Sequence, residues 1–199
     1  LLEMIVDQAR EFTNADAGTL YLRERDNLHF KIVQNNSLGI RMGGTSGENI
    51  PFPPVELKET NVSAYVAIKG SPVNIPDVYK TDLFDFTGPK NFDQSSGYRS
   101  KSMLVVPMRN HENDVIGVLQ LLNAQNTKTN EVIAFSSDYE RLTESLASQA
   151  AVAVTNAKLI HEMGALFDSF AQVMATAIDE KSPVTGGHIR RVANMTLTF

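Results

Sequence analysis

Few side chains in this 199-residue sequence stand where they could do chemistry. The four histidines are His29, His111, His161 and His188. His29 falls in a strand-like run, His111 in a hairpin turn and His161 on a long helical segment, so each reads as a solvated or packed residue. A neutral imidazole suits a transition metal, but a stable site takes three or four protein ligands. There is no cysteine, which removes disulfides, thiolate metal sites, thiol nucleophiles and thioether attachment of a chromophore. Gly43-Gly44-Thr45-Ser46-Gly47 has the glycine density of a phosphate cradle but lacks a Gly-Lys-Ser/Thr ending and a strand before it. It reads as a plain loop. The richest chemistry is aromatic. Asp77 to Tyr98 holds Tyr79, Phe84, Phe86, Phe92 and Tyr98, and of these Phe84, Phe86 and Tyr98 could equally stack on a purine-like ligand or plug the space themselves. With no nucleophile–base pair and no complete ligand set, this chain is expected to be non-catalytic.

Bulk composition narrows the partners. Apolar residues make up 42% and charged residues 21%, ordinary for a globular protein. No stretch approaches the ~20 apolar residues of a membrane span. Net charge is −5 and the pI near 5.4, with no basic run, which argues against a nucleic-acid partner. Absence of cysteine fits a cytoplasmic setting. Leu1 already falls inside an apparent helix, which predicts further chain before it.

The elements that must position these residues follow from periodicity. Leu1, Leu2, Ile5, Ala9 and Phe12 predict an amphipathic helix over the first ~13 residues, broken by Asn14 to Gly18. Thr19 to Arg23 and His29 to Val33 predict a hairpin through Arg25-Asp26-Asn27. Asn35 to Pro54 reads as a long irregular loop. Glu59 to Lys69 reads as a short helix ended by Gly70, and Val73 to Ile75 as a short strand. Ser102 to Arg109 and Val115 to Asn123 are the clearest strands, and Met103 to Val106 is apolar throughout, as for a strand covered on both faces. The order predicts an α+β fold, an antiparallel sheet with helices packed on it. Asp138 to about Asp179 contains no proline and carries a seam at Ala150, Ala153, Ala157, Ile160, Gly164, Phe167, Ala171, Met174 and Ile178, with a second stripe at Val152, Leu159, Leu166 and Val173. It is either one long helix or two helices broken near Gly164.

Four segments carry a family likeness. Ala15 to Leu22, Gly97 to Met108, Ile116 to Ala124 and Ser148 to Ala157 resemble, in that order and spacing, successive pieces of GAF domains. The resemblance covers about residues 1–160. It implies a PAS-like six-stranded antiparallel sheet with helices on both faces, a pocket on one face and a dimerising helical bundle on the other. Many members bind cyclic nucleotides and carry a signature running Asn-Lys, a gap, Phe, three residues, then Asp-Glu. Asn123, Phe135 and Glu140 match it, whereas Ala124 replaces the lysine and Tyr139 the aspartate. Asp138 lies one residue early, a rotation of about 100° on a helix. The signature's ion pair is therefore expected to be missing. Losing both members leaves no orphan charge. Covalent bilin attachment and methionine-sulfoxide reduction, found elsewhere in the family, need cysteines this chain lacks.

A second likeness lies at the C-terminal end. Ala177 to Val192 resembles the opening of an HD-GYP-type metal phosphohydrolase, a group that hydrolyses cyclic dinucleotides. That resemblance makes His188, after Gly186-Gly187, the first ligand of a metal centre. Some members place a glutamate four residues earlier and bind three metals; Val184 stands there here, which implies two ions, iron or manganese. The remaining ligands would lie beyond Phe199. The expected organisation is a GAF sensor at 1–160, a signalling helix at 161–180, and the start of the phosphohydrolase domain at 181–199.

Together these readings lead to a regulatory sensor of a small molecule, a cyclic nucleotide among the candidates, set before a phosphodiesterase. The competing expectation is a structural dimerisation module with no ligand. The pocket is expected between the sheet and Ala64 to Tyr98, walled by Phe84, Phe86, Tyr98, Ser100, Ser102 and Asn123. The seam, with Ala153, Ile160, Phe167 and Met174, predicts a parallel homodimer.

Overall fold

The computed structural model describes residues 1–45 and 48–181, with side chains described up to 177. Helix α1 (Leu2–Thr13) buries Ile5, Val6 and Ala9 and stops at Asn14, which takes a left-handed conformation (φ 51°) and donates its N–H to the carbonyls of Arg10 and Glu11. Asn14 alone makes the break expected over Asn14 to Gly18. Strand β1 (Ala15–Glu24) starts at once and pairs along its length with β2 (Asn27–Asn35). Strand β3 (Ile40–Gly43), inside the stretch expected to be irregular, and β4 (Val55–Glu56), just past its end, come next. Helix α2 (Val62–Lys69) has its N-terminal turn capped by the Asn61 side chain, which accepts from the Ala64 N–H at 3.1 Å, and ends at left-handed Gly70. Then follow β5 (Val73–Ile75), α3 (Thr87–Ser96), β6 (Met103–Arg109), β7 (Val115–Gln125), β8 (Val132–Ile133) and α4 (Ser137–Lys181).

The sheet runs β3-β2-β1-β7-β6-β5, every pair antiparallel, with the two-residue β4 and β8 added on β2 and β7. Strand alternation divides the buried side chains between two faces. On one face Leu20, Ile32, Leu104, Val106, Leu119 and Leu121 pack with Ile5, Val6 and Ala9 of α1 and Ala147, Ala150 and Ala151 of α4. On the other, Tyr21, Leu28, Met103, Val105 and Val118 pack with Val62, Val66 and Ala67 of α2 and with Phe86. The fold is thus an α+β sheet with helices on both faces, built on six main strands.

One irregularity decides what the second face displays. Leu20 pairs with Ile32 but Tyr21 pairs with Phe30, so Lys31 is an extra residue in β2. An inserted residue inverts the alternation. Phe30 therefore shares a face with Tyr21, while Ile32 and Gln34 share one with Leu20 and α1.

Sheet packing is tight at Gly117. A Cβ there would run into the backbone carbonyl oxygen of Tyr21 and come within 3.2 Å of Leu22 Cδ2 and Met108 Sδ. Gly117→Ala must force β7 away from β1 and is expected to cost about 2–3 kcal/mol. The midpoint of urea denaturation measures this, and an unchanged midpoint would contradict the packing described.

The chain divides into two compact units, Leu1–Val152 and Ala153–Phe199. Helix α4 is continuous through Gly164. Ala150, the first seam residue, is buried in the core of the first unit. In the second unit Ile160, Phe167 and Met174 of the seam are exposed, Phe167 by 73%, as are Leu159, Leu166 and Val173 of the other stripe. The segment resembling a phosphohydrolase lies outside the described residues from 182 onward, His188 included.

Candidate functional site

The face that carries Tyr21 and Phe30 forms one wall of a cavity of about 230 Å³ in the first unit. Ala17, Thr19 and Tyr21 of β1, Phe30, Val33 and Asn35 of β2 and Leu122 of β7 line it from the sheet. Gly88, Pro89 and Phe92 of α3 line it from above, and Phe52 and Tyr98 contribute from loops. Phe30 links the rings, with centroids 4.6 Å from Tyr21 and 5.4 Å from Phe52.

Helix α3 is polar in sequence, and a single buried carboxylate ties its C-terminal half to Tyr79 and to the segment entering β6. Asp93 accepts from the Tyr79 hydroxyl at 2.8 Å, the Ser100 N–H at 2.8 Å and the Ser100 hydroxyl at 2.9 Å. These bonds set the path of residues 97–102 and bring Tyr98 and Ser100 to the cavity.

Tyr98 is the junction between cavity and core. Its hydroxyl donates to Asp16 Oδ2 at 2.8 Å and accepts from Asn123 Nδ2 at 2.9 Å. Asp16 Oδ1 accepts from both the N–H and the hydroxyl of Ser37, at 3.2 and 2.9 Å. Burial and the adjoining Asp16 carboxylate push the Tyr98 phenol far above its ordinary pKa, so it stays protonated and donating. Asn123, itself left-handed (φ 56°), also donates to the Arg99 carbonyl at 2.8 Å and accepts from the Lys101 N–H at 2.7 Å. From α1, Arg10 Nη1 donates to Gln34 Oε1 at 2.8 Å and Nη2 to the Asp16 carbonyl at 3.0 Å. Its Nε is buried without a hydrogen-bond partner, and burial, with Arg41 nearby, pulls the guanidinium pKa down. A polar chain therefore runs from α1 through Asp16 to the cavity wall.

Of the six side chains expected to wall a pocket, Tyr98 and Ser100 line this cavity. Phe86 lies in the core, with Phe84 edge-on to it at 6.3 Å and to Tyr65 at 5.2 Å. The Ser102 hydroxyl is buried and accepts from the Ala124 N–H at 3.2 Å. Asn123 reaches the cavity only through Tyr98. Phe30, Phe52, Phe92, Thr19 and Asn35 line it without having been picked out. The alternation of β1 could have found Thr19; Phe30 needed the bulge, and Phe52 the course of a loop.

The partial signature has a structural role here. Glu140 Oε2 accepts from Asn74 Nδ2 at 3.0 Å, and the same nitrogen reaches the Phe135 carbonyl at 3.1 Å. Phe135 and Glu140 thus tie β5 to the start of α4. Ala124 is buried, Tyr139 packs on the core, and Asp138 pairs with Arg141. Among the described residues, no group of three or more His, Asp or Glu could hold a metal, and no helix is long and apolar enough to cross a membrane.

A sequence model of the GAF domain matches residues 1–154. The chain belongs to the GAF domain family. Its GAF domain is a small-molecule sensing module, non-catalytic in itself. The chain is 34% identical over 100 residues to dual 3′,5′-cyclic-AMP and -GMP phosphodiesterase 11 of Drosophila melanogaster, and 33% identical over 98 residues to phosphodiesterase 11A of Takifugu rubripes. Those matches take in 50% and 49% of this chain but only 6% and 10% of the relatives' lengths. Among solved structures, the GAF domain of an Acinetobacter phosphoenolpyruvate-protein phosphotransferase aligns with a TM-score of 0.58 at 17% identity, covering 81% of this chain and 84% of that one. A GAF domain/HD domain protein from Geobacter sulfurreducens aligns with a TM-score of 0.56 at 18% identity, covering 79% and 92%. At such identities the likeness establishes the fold.

Proposed function

We propose that this GAF domain is the regulatory sensor of a larger cytoplasmic protein, that it binds a small organic molecule in the cavity beneath Tyr98, and that it controls an HD-GYP-type phosphodiesterase following it. The observation that supports binding is the cavity itself, ring-walled and joined to α1 through Tyr98, Asp16 and Arg10. Cyclic nucleotides enter as candidates because the curated relatives are named for them. The output domain rests on the resemblance of residues 177–192, with His188 the first ligand of a two-ion iron or manganese centre completed by residues beyond this chain. A purely structural role is the rival, favoured by the small volume of the cavity. Thermal denaturation against a panel of nucleotides and metabolites separates the two. A true ligand at 100 times its Kd stabilises the fold by about 2.7 kcal/mol. No stabilisation across the panel would leave the structural role standing.

Assembly belongs to the same proposal. The exposed Ile160, Phe167 and Met174, with Ala153 of the same seam, form an interface with a second copy in a parallel dimer. Ligand binding then acts on the pair of α4 helices to the extent that it favours one arrangement of them. Phe167→Asp places an unpaired carboxylate against its symmetry mate and is expected to weaken the dimer about 100-fold. Sedimentation that finds the unmutated chain monomeric at high micromolar concentration would refute the interface. An antiparallel pair would refute only the signalling part.

A further inference from the structure

The lining of the cavity narrows what it can hold. Among the described residues it presents no lysine, arginine, histidine, aspartate or glutamate side chain. A buried anion without a partner is strongly disfavoured, so a phosphate would have to find its charge complement elsewhere. The N-terminal turn of α3 is the obvious place, since Gly88 and Pro89 line the cavity. That turn is already occupied. The Thr87 N–H donates to Asp85 Oδ1 at 2.9 Å, the Lys90 N–H to the Phe86 carbonyl at 2.9 Å, and Pro89 has no N–H, which leaves the amide of Gly88. Asp85 also brings a carboxylate to the positive end of the helix dipole, and hydrogen bonds from Thr87 hold that carboxyl below its usual pKa.

The nearby cations are committed too. Lys90 and Arg99 both sit over the Tyr79 ring, 5.4 and 4.3 Å from its centroid. Behind the wall, Arg10 is offset by Asp16, so the buried charges there sum to zero. What the walls do offer is ring surface from Phe30, Phe52, Phe92 and Tyr98, with Thr19 and Asn35 as polar groups. The volume of about 230 Å³ falls below the roughly 300–1,000 Å³ of pockets for drug-sized ligands.

We infer that the cavity takes an uncharged, planar heteroaromatic molecule of about the size of a nucleobase in preference to an anionic nucleotide. This rests on the sensing role proposed above. Aromatic walls favour a flat π-system through stacked and edge contacts, and ring nitrogens can meet the amide and hydroxyl groups. Nothing in the lining compensates a phosphate.

The test is calorimetric titration of the chain with adenine, hypoxanthine and benzimidazole, and in parallel with 3′,5′-cyclic AMP and 3′,5′-cyclic GMP, at low and high salt. At least one uncharged probe is expected to bind ten or more times tighter than either cyclic nucleotide, with affinity indifferent to salt. Phe52→Ala removes a half-buried loop ring outside the sheet, and should weaken that probe about tenfold while leaving the denaturation midpoint in place. Tighter binding of a cyclic nucleotide would overturn this inference and leave the sensing role intact. Binding of none of the five would overturn this inference, while the sensing role falls only if the wider panel of nucleotides and metabolites also gives no stabilisation.

Discussion

Asp16→Ala is expected to lower the unfolding free energy by about 4 kcal/mol, the range for breaking a buried charged network from one side. The carboxylate is buried and accepts from the Tyr98 hydroxyl and twice from Ser37. Its removal strands the Tyr98 donor, each such orphan costing about 1–3 kcal/mol. It also takes the countercharge away from Arg10, a buried guanidinium whose Nε already lacks a partner. Tyr98→Phe deletes one donor but leaves Asp16 its Ser37 bonds, so it should cost only about 1–2 kcal/mol. Urea denaturation with an unchanged slope reads both values. A loss below about 1 kcal/mol for Asp16→Ala would mean that the network spends as much on desolvation as it returns.

Leu121→Ala should cost about 3 kcal/mol through a different mechanism, a void in the core. Leu121 is fully buried at the centre of the sheet, opposite Gly18 on β1 and Leu104 on β6, and belongs to the cluster packed beneath α1 and α4. Neighbours held by ladder hydrogen bonds on both sides cannot collapse into the space. For a domain of this size the loss corresponds to a fall in Tm of roughly 10 °C. Leu83→Ala is the control: Leu83 is 78% exposed, and its truncation should move the midpoint little. Equal shifts for the two variants would contradict the placement of this core.

Sequence alone determined the elements whose signals are local. The apolar runs of β6 and β7 flank a polar turn, so strand and hairpin could be read together. The spacing of Ile5, Ala9 and Phe12 marks α1, and Gly70 marks the end of α2 because a left-handed residue closes a helix cheaply only as glycine or asparagine. The fold class followed from these, whereas the continuity of α4 through Gly164 did not, because the sequence allowed a break there. Helix α3 did not, since Thr87–Ser96 is polar and glycine-containing and is fastened through Asp93, a side-chain bond that periodicity does not register. Strands β3 and β4 were missed because pairing with β2, rather than local preference, makes them strands.

The cavity depended on tertiary structure almost entirely. Asp16 and Tyr98 lie 82 residues apart and meet only because β1 and the segment entering β6 are carried past one another. Phe30 faces the cavity because one extra residue at Lys31 inverts the alternation of β2, and an insertion of that kind leaves no local trace. Phe84 and Phe86, by contrast, stood in an aromatic cluster that fitted a binding wall equally well in sequence, yet they pack with one another, and Phe84 with Tyr65. Local patterns report which residues prefer to be buried. Register and long-range hydrogen bonds decide which buried residues share a space.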